Sequence, residues 1–218
     1  MKPTIGIIGG CGPLATVDIE YKILKATKYL LPLVDQDYFN LLTYNYTQFH
    51  DRNDAINTGS QEEILINDYL RCAKSLAAVG IDILLIACQT AHTYLHKIQE
   101  VINIPIVDIV YETTLHISSL FPKISKVGIL STEATQKKQL YQTALNHYGI
   151  EAISVPPALQ KKLMQAIYVM KTGISLAAEP MELNNQHFGS ISEEKRYKIK
   201  KHPYRNILLN KSGSVAIR

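Results

Sequence analysis

Gly80-Ile-Asp-Ile-Leu-Leu-Ile-Ala-Cys-Gln-Thr-Ala-His92 is the stretch from which the fold can be read. Apart from Asp82, residues 81–87 are apolar, the mark of a strand buried on both faces of a parallel sheet. Gly80 closes the helical stretch before it, and that stretch opens near Ser60, three residues before Glu63 at capping-box spacing. Further upstream, residues 4–8 form a second short apolar run, closed by Gly9-Gly10-Cys11-Gly12-Pro13. Residues 14–30 then carry Val17, Tyr21 and Leu24 at helical spacing, and residues 40–46 read as a strand. Downstream, strands are expected at 104–109, 126–130 and 151–155, with helices at 111–120, 135–148 and 159–171. Alternation of this kind predicts an α/β protein of two similar lobes, each a mainly parallel sheet flanked by helices. The division is expected near 103, giving lobes 1–103 and 104–201 and an atypical basic C-terminal tail, 202–218.

Charge sharpens that outline. The 218 residues hold 23 Lys and Arg against 19 Asp and Glu, a net charge of +4. From Glu193 to Arg218 eight basic residues face only Glu193 and Glu194, so the first 192 residues carry a net −2. A slightly acidic body with a basic end argues against a protein that binds nucleic acid over its whole surface. With 46% hydrophobic and 19% charged residues the chain can bury a core and is not of the disordered class. Three widely spaced cysteines, Cys11, Cys72 and Cys88, suggest no disulfide framework and fit a reducing, cytoplasmic setting. No segment approaches the ~20 apolar residues of a membrane span, and the run before Cys11 is too short and glycine-broken for a lipoprotein signal.

Ligands of open α/β sheets bind at the carboxyl ends of strands, which singles out the turns holding Cys11, Cys88 and Thr132. Cys88 leaves a buried strand directly and precedes Thr90, a suitable cap for a helix beginning near Ala91. A thiol there would face free N–H groups and be activated, and the same groups could hold a carboxylate. It could equally be a small buried hydrophobe, and position alone leaves both readings open. Cys72 sits on the 60–80 helix beside Tyr69, Ala73 and Leu76 and is expected to point into the core. Cys11 is expected to line the same cleft as Cys88. Its loop is no dinucleotide fingerprint, since the glycine spacing fails at Ala15. His92 and His96 lack the glutamate of a zinc helix, and exposed helix positions are expected for both.

Four motifs occur in order: Thr4-Ile-Gly-Ile-Ile-Gly-Gly-Cys-Gly-Pro-Leu-Ala-Thr-Val-Asp18, Tyr44-Asn45 with Asp51-Arg52, Cys88-Gln-Thr-Ala-His92, and Ile167-Tyr-Val-Met-Lys-Thr-Gly173. Together they resemble the cofactor-independent aspartate/glutamate racemase family, nearest its aspartate racemase branch. The resemblance implies two lobes across a cleft, homodimers, an acidic amino acid such as aspartate or glutamate as substrate, and neither pyridoxal phosphate nor metal. It also implies Cys88 as a catalytic acid/base. Asp51, Arg52, Asn53, Gln89, Thr90, Ala91, Lys171, Thr132 and Cys11 would then be substrate-binding candidates, with Arg52 anchoring a carboxylate. Without the resemblance, Arg52 and Lys171 would read as solvated surface charges.

Two departures stand out. Gln89 replaces the asparagine usual in the family's Cys-Asn-Thr turn, and the second-lobe Gly-Cys-Thr-Glu motif with the opposing cysteine is absent. No cysteine follows Cys88. The second lobe is therefore expected to be incomplete at its C-terminus, as in a chain truncated or out of register, with no buried strand of the family's kind in the last fifteen residues. An impaired racemase, a single-cysteine decarboxylase or isomerase, and a non-catalytic carboxylate-binding protein are the competing functions. The basic end offers phosphate contacts, but its only aromatics are Tyr197 and Tyr204, and it reads as a solvated helix face.

Overall fold

β-Branched and leucine-rich runs too short for stable helices form the strands of this protein, and the longer 3.6-periodic stretches between them form helices. The structure, a computed structural model, describes residues 2–171 together with the backbone of Ile207–Leu209 and Val215–Ile217. It divides into two compact units, Met1–Glu112 and Thr113–Arg218. Among the described residues no helix is long and apolar enough to cross a membrane.

The first unit is built on strands β1 (Thr4–Gly9), β2 (Asn40–Asn45) and β3 (Ile83–Ile86), in the order β2-β1-β3 and parallel throughout. Its helices are α1 (Pro13–Thr27), α2 (Arg52–Thr58), α3 (Glu62–Ala78) and α4 (Leu95–Gln99), and α5 (Ile109–Leu120) leads into the second unit. The β1-to-β2 and β2-to-β3 steps cross the sheet in opposite directions, so right-handed crossovers put α1 and α3 on opposite faces. On α3, Leu65, Tyr69, Cys72, Ala73 and Leu76 form a buried stripe at helical spacing. In the sheet Ile7, Ile8, Leu84 and Ile86 are all without solvent contact, Ile8, Leu84 and Ile86 on one face and Ile7 on the other.

Three local expectations are corrected. Gln61, in a left-handed conformation, precedes α3 in place of a Ser60 capping box, because Ser60 N is held by Thr58 Oγ1 at 3.0 Å. Val17, Tyr21 and Leu24 are 61, 60 and 44% exposed, and α1 turns Thr16 and Thr27 inward instead. The expected strand 104–109, assigned to the second lobe, pairs with the first sheet: Leu84 N donates to Pro105 O and Val107 N to Leu84 O, each at 2.9 Å. That pairing carries the first unit past residue 103.

In the second unit β4 (Lys126–Ile129) pairs in parallel with β5 (Glu151–Ser154), and α6 (Glu133–Lys137), α7 (Leu140–Asn146) and α8 (Pro157–Lys171) accompany them. Val127, Ile129, Ala134, Tyr141 and Leu145 are its buried centre. Two strands in the expected tail, β6 (Ile207–Leu209) and β7 (Val215–Ile217), complete a sheet of order β5-β4-β7-β6. β7 is parallel to β4, so the last fifteen residues supply a strand to this sheet. Pro203 and the helix expected at 192–201 lie outside the described residues.

The β1–α1 turn depends on Gly10. Its φ is +87°, and a Cβ there would strike the Tyr46 carbonyl. Gly59, at φ +74°, has nothing within 4 Å. Gly59→Ala is expected to cost only the left-handed penalty of about 1–2 kcal/mol. Gly10→Ala adds a backbone clash and should cost more, as urea unfolding midpoints of the two variants will report.

Candidate active site

Parallel pairing brings the chemistry-bearing turns to one edge of the first sheet. Ile8 lies opposite both Tyr44 and Ile86, so the chain leaves all three strands at the same level. Ala87 N donates to Ile8 O at 2.9 Å, the last bond of the ladder, and Cys88 N donates to Ile86 O at 2.8 Å in a tight turn that takes the chain out of the strand. On the β1 side Gly10 N donates to Thr16 Oγ1 at 3.0 Å, fixing the turn that presents Cys11.

Arg52 reaches the same place from α2. Asp51 caps that helix, accepting from Asn53 N at 2.9 Å and Asp54 N at 3.0 Å. Arg52, the first helical residue, is only 8% exposed. Its guanidinium donates through Nη1 to His50 O at 3.3 Å and through Nη2 to Cys11 O. It is therefore no solvated surface charge. Burial works against the cation, but the negative charge of Cys88, followed by Cys11 and Tyr69, outweighs it and raises the guanidinium pKa.

The two thiols divide one proton between unequal surroundings. Cys88 is partly exposed; Cys11 is buried. The hydrogen bond from the Cys11 thiol is the largest influence on Cys88, and burial opposes it. The Arg52 charge, the Ala91 N–H and His92 add to the lowering, so Cys88 is held far below the usual thiol range, at about 5. Cys11 moves the opposite way, raised by its hydrogen bond to Cys88, by burial and by the Cys88 charge. Tyr69, without solvent exposure, lies with its hydroxyl 3.0 Å from Cys11 Sγ, and burial raises its pKa. At neutral pH the site thus holds a Cys88 thiolate, a protonated Cys11 and a protonated Tyr69. Cys72 is enclosed on α3, and burial pushes it up to about 11.

Several sequence expectations change here. The segment after Cys88 is a 3₁₀ turn, Thr90–Tyr94, followed by the five-residue α4, rather than an α-helix capped by Thr90. Gln89 precedes the turn without a side-chain capping bond, while Thr90 and Ala91 are buried. The helix dipole is consequently a smaller source of activation than the neighbouring thiol and guanidinium. His92 is buried, not exposed: its Nδ1 lies 2.8 Å from Cys88 O, and its Nε2 accepts from Ile109 N at 3.3 Å. That pair of bonds fits the tautomer with the proton on Nδ1. Tyr69 was missed as a site residue, because on α3 its spacing is that of any core position. The i,i+4 relation of Cys88 to His92 was the available signal for the latter.

Two sequence-predicted residues belong to the second unit. Thr132 caps α6, accepting from Thr135 N at 3.2 Å with its hydroxyl 3.0 Å from that of Thr135. Lys171 ends α8 with Nζ 4.8 Å from the Tyr168 ring centroid. Among the described residues no group of three or more His, Cys, Asp or Glu could hold a metal ion.

Comparison with known proteins places this geometry. The broad specificity amino-acid racemase RacX of Bacillus subtilis is 28% identical over 150 residues, covering 68% of this chain and 63% of that protein. The glutamate racemase of Persephonella marina is 30% identical over 89 residues, 40% of this chain and 34% of that one. The matched stretch thus spans less than two thirds of either curated relative. The structure of Picrophilus torridus aspartate racemase superposes with a TM-score of 0.71 at 27% identity, covering 85% of this chain and 77% of that one. The family profile described as Asp/Glu/Hydantoin racemase matches residues 8–188, and with most of its length inside that match the chain belongs to the Asp/Glu/hydantoin racemase family.

Proposed function

We propose that this chain performs cofactor-independent, aspartate racemase-like acid/base chemistry at Cα of an acidic amino acid, with Cys88 as the base. The observation that carries the reading is the ionised thiol of the half-buried Cys88, backed by Cys11 and Arg52 at the strand ends. Removing a weakly acidic α-proton needs a base already ionised at working pH, and Cys88 meets that need. Arg52 serves as the charge partner of the thiolate, its two terminal nitrogens being committed to backbone carbonyls, and not as a mobile carboxylate anchor. Asp51 holds it there by capping α2. Gln89 and Asn53, half-buried next to Cys88 and Arg52 in sequence, are the proposed carboxylate contacts of the first unit, with the Thr90 and Ala91 backbone.

Racemisation needs proton transfer on both faces of Cα. Within the 218 residues no cysteine follows Cys88, and Cys11, within hydrogen-bonding reach of Cys88, stands on the same side of any substrate that Cys88 attacks. A tetrahedral carbon cannot lie between two sulfurs that hydrogen-bond each other. Chemistry confined to one face is therefore favoured, in an impaired racemase or in a decarboxylase or isomerase that needs a single proton donor. A cytoplasmic, reducing setting suits the three free thiols. A homodimer suits the exposed apolar face of α1 formed by Leu14, Val17, Tyr21 and Leu24.

In deuterated water, L-aspartate is expected to exchange its α-proton with retention of configuration, and Cys88→Ala to lower that exchange by roughly 10²–10⁴-fold. Racemisation near an ordinary enzymic rate, on the order of 10 s⁻¹, would rule out the one-face reading. If Cys88 is the base, exchange should fall as pH drops through about 5 and stay level up to neutrality. Arg52→Gln should move that limb upward, since the guanidinium favours the thiolate; an unmoved limb in the pH profile would remove Arg52 from the site. Sedimentation velocity should give a dimer for the wild type and a monomer for Val17→Glu/Tyr21→Glu.

A further inference from the structure

Cys88 chemistry leaves a second buried thiol and a buried phenol directly behind the base. Cys11 is 5% exposed and Tyr69 has no exposure. Cys11 Sγ lies 3.0 Å from Tyr69 Oη on one side and within hydrogen-bonding reach of the Cys88 sulfur on the other. The placement is over-determined. Ile8 and Ile86 pair across the parallel strands, Gly10 N is tied to Thr16 Oγ1, and the Cys11 carbonyl accepts from the Arg52 guanidinium. A cysteine buried for its volume alone would have apolar neighbours; this one bridges a phenol and a sulfur. Either atom of the Cys11–Tyr69 pair can donate; where Tyr69 does, the single S–H of Cys11 is free for the Cys88 sulfur within its reach.

We propose that Cys11 is the positioning residue of Cys88: oriented by the Tyr69 hydroxyl, it directs its S–H at the Cys88 sulfur, selecting and aiming the ionised base. The inference rests on Cys88 being the base of the proposed function but concerns the group behind it. Four other groups face this pair: the Arg52 guanidinium from α2, the Ala91 N–H and His92 from the 3₁₀ turn, and Tyr69 from α3. Replacing Cys11 takes the partner of the Tyr69 hydroxyl away but leaves Arg52, Ala91 and His92 in place, and Tyr69→Phe separates the share of the phenol.

The test is the pH dependence of iodoacetamide alkylation at Cys88 in the intact chain, read by mass spectrometry of the Cys88 peptide. Cys11→Ala is expected to raise the midpoint by at least one pH unit, equivalent to a tenfold or greater fall in rate on the acid limb. Cys11→Ser keeps a donor and should stay near the wild type, while Tyr69→Phe should shift the midpoint upward by less than Cys11→Ala. A Cys11→Ala midpoint equal to the wild type overturns the proposal, whatever happens to the melting temperature. If Cys11→Ala does not fold, the near-isosteric Cys11→Val takes its place under the same criterion. Alkylation needs no turnover, so absent α-proton exchange would strike the proposed function and leave the order of midpoints to judge Cys11.

Discussion

A guanidinium in a protein interior demands an anion and hydrogen-bond acceptors, since an uncompensated buried charge costs several kcal/mol. Arg52 meets that demand within the first unit. Two backbone carbonyls, from His50 and Cys11, take its terminal N–H groups, and the Cys88 thiolate supplies the charge. The rest of the site follows from this pairing. Asp51 must cap α2 so that Arg52 enters at its first turn, Gly10 must be glycine so that the β1 turn can close against Tyr46, and β3 must deliver Cys88 beside both. Because the cation favours the thiolate and the thiolate favours the cation, each explains the other's ionisation.

A thiolate made in this way has a consequence for chemistry. Cys88 is half-buried, while its protonated neighbours Cys11 and Tyr69 are enclosed. The relatives of this chain include amino-acid racemases named for aspartate, for glutamate and for broad specificity. A sulfur with so depressed a pKa is ionised at neutral pH. His92 contributes from outside the trio. By bridging the Cys88 carbonyl to the Ile109 backbone it ties the Cys88 turn to the start of α5.

Much of the framework was legible before any coordinates. Apolar runs of strand length at 4–8, 81–87 and 126–130 are strands because residues buried on both faces of a parallel sheet have no polar alternation to keep. The Cys88 turn was legible too, since strand ends are where such sheets expose backbone. Other features resisted reading. The stripe Val17, Tyr21 and Leu24 has core spacing yet faces outward, because periodicity identifies a face without saying whether anything covers it. The 104–109 run has strand composition, but which sheet it joins is settled by hydrogen bonds to Leu84.

By itself the sequence determined that this is an α/β chain, that its family motifs stand in order, and that Cys88 follows a buried strand. These are local properties of composition, spacing and order along the chain. Only the tertiary structure decided that Arg52 is interior, that Cys11 and Tyr69 stand behind Cys88, and that His92 is a buried bridge. Residues 11, 52, 69 and 88 lie far apart in the chain, and each alone has an ordinary explanation: a turn, a surface charge, a core aromatic, a small hydrophobe. Their ionisation states depend on distances of a few ångströms between groups sharing one low-dielectric site. Those distances are set by strand register and helix entry, which no single stretch of sequence records.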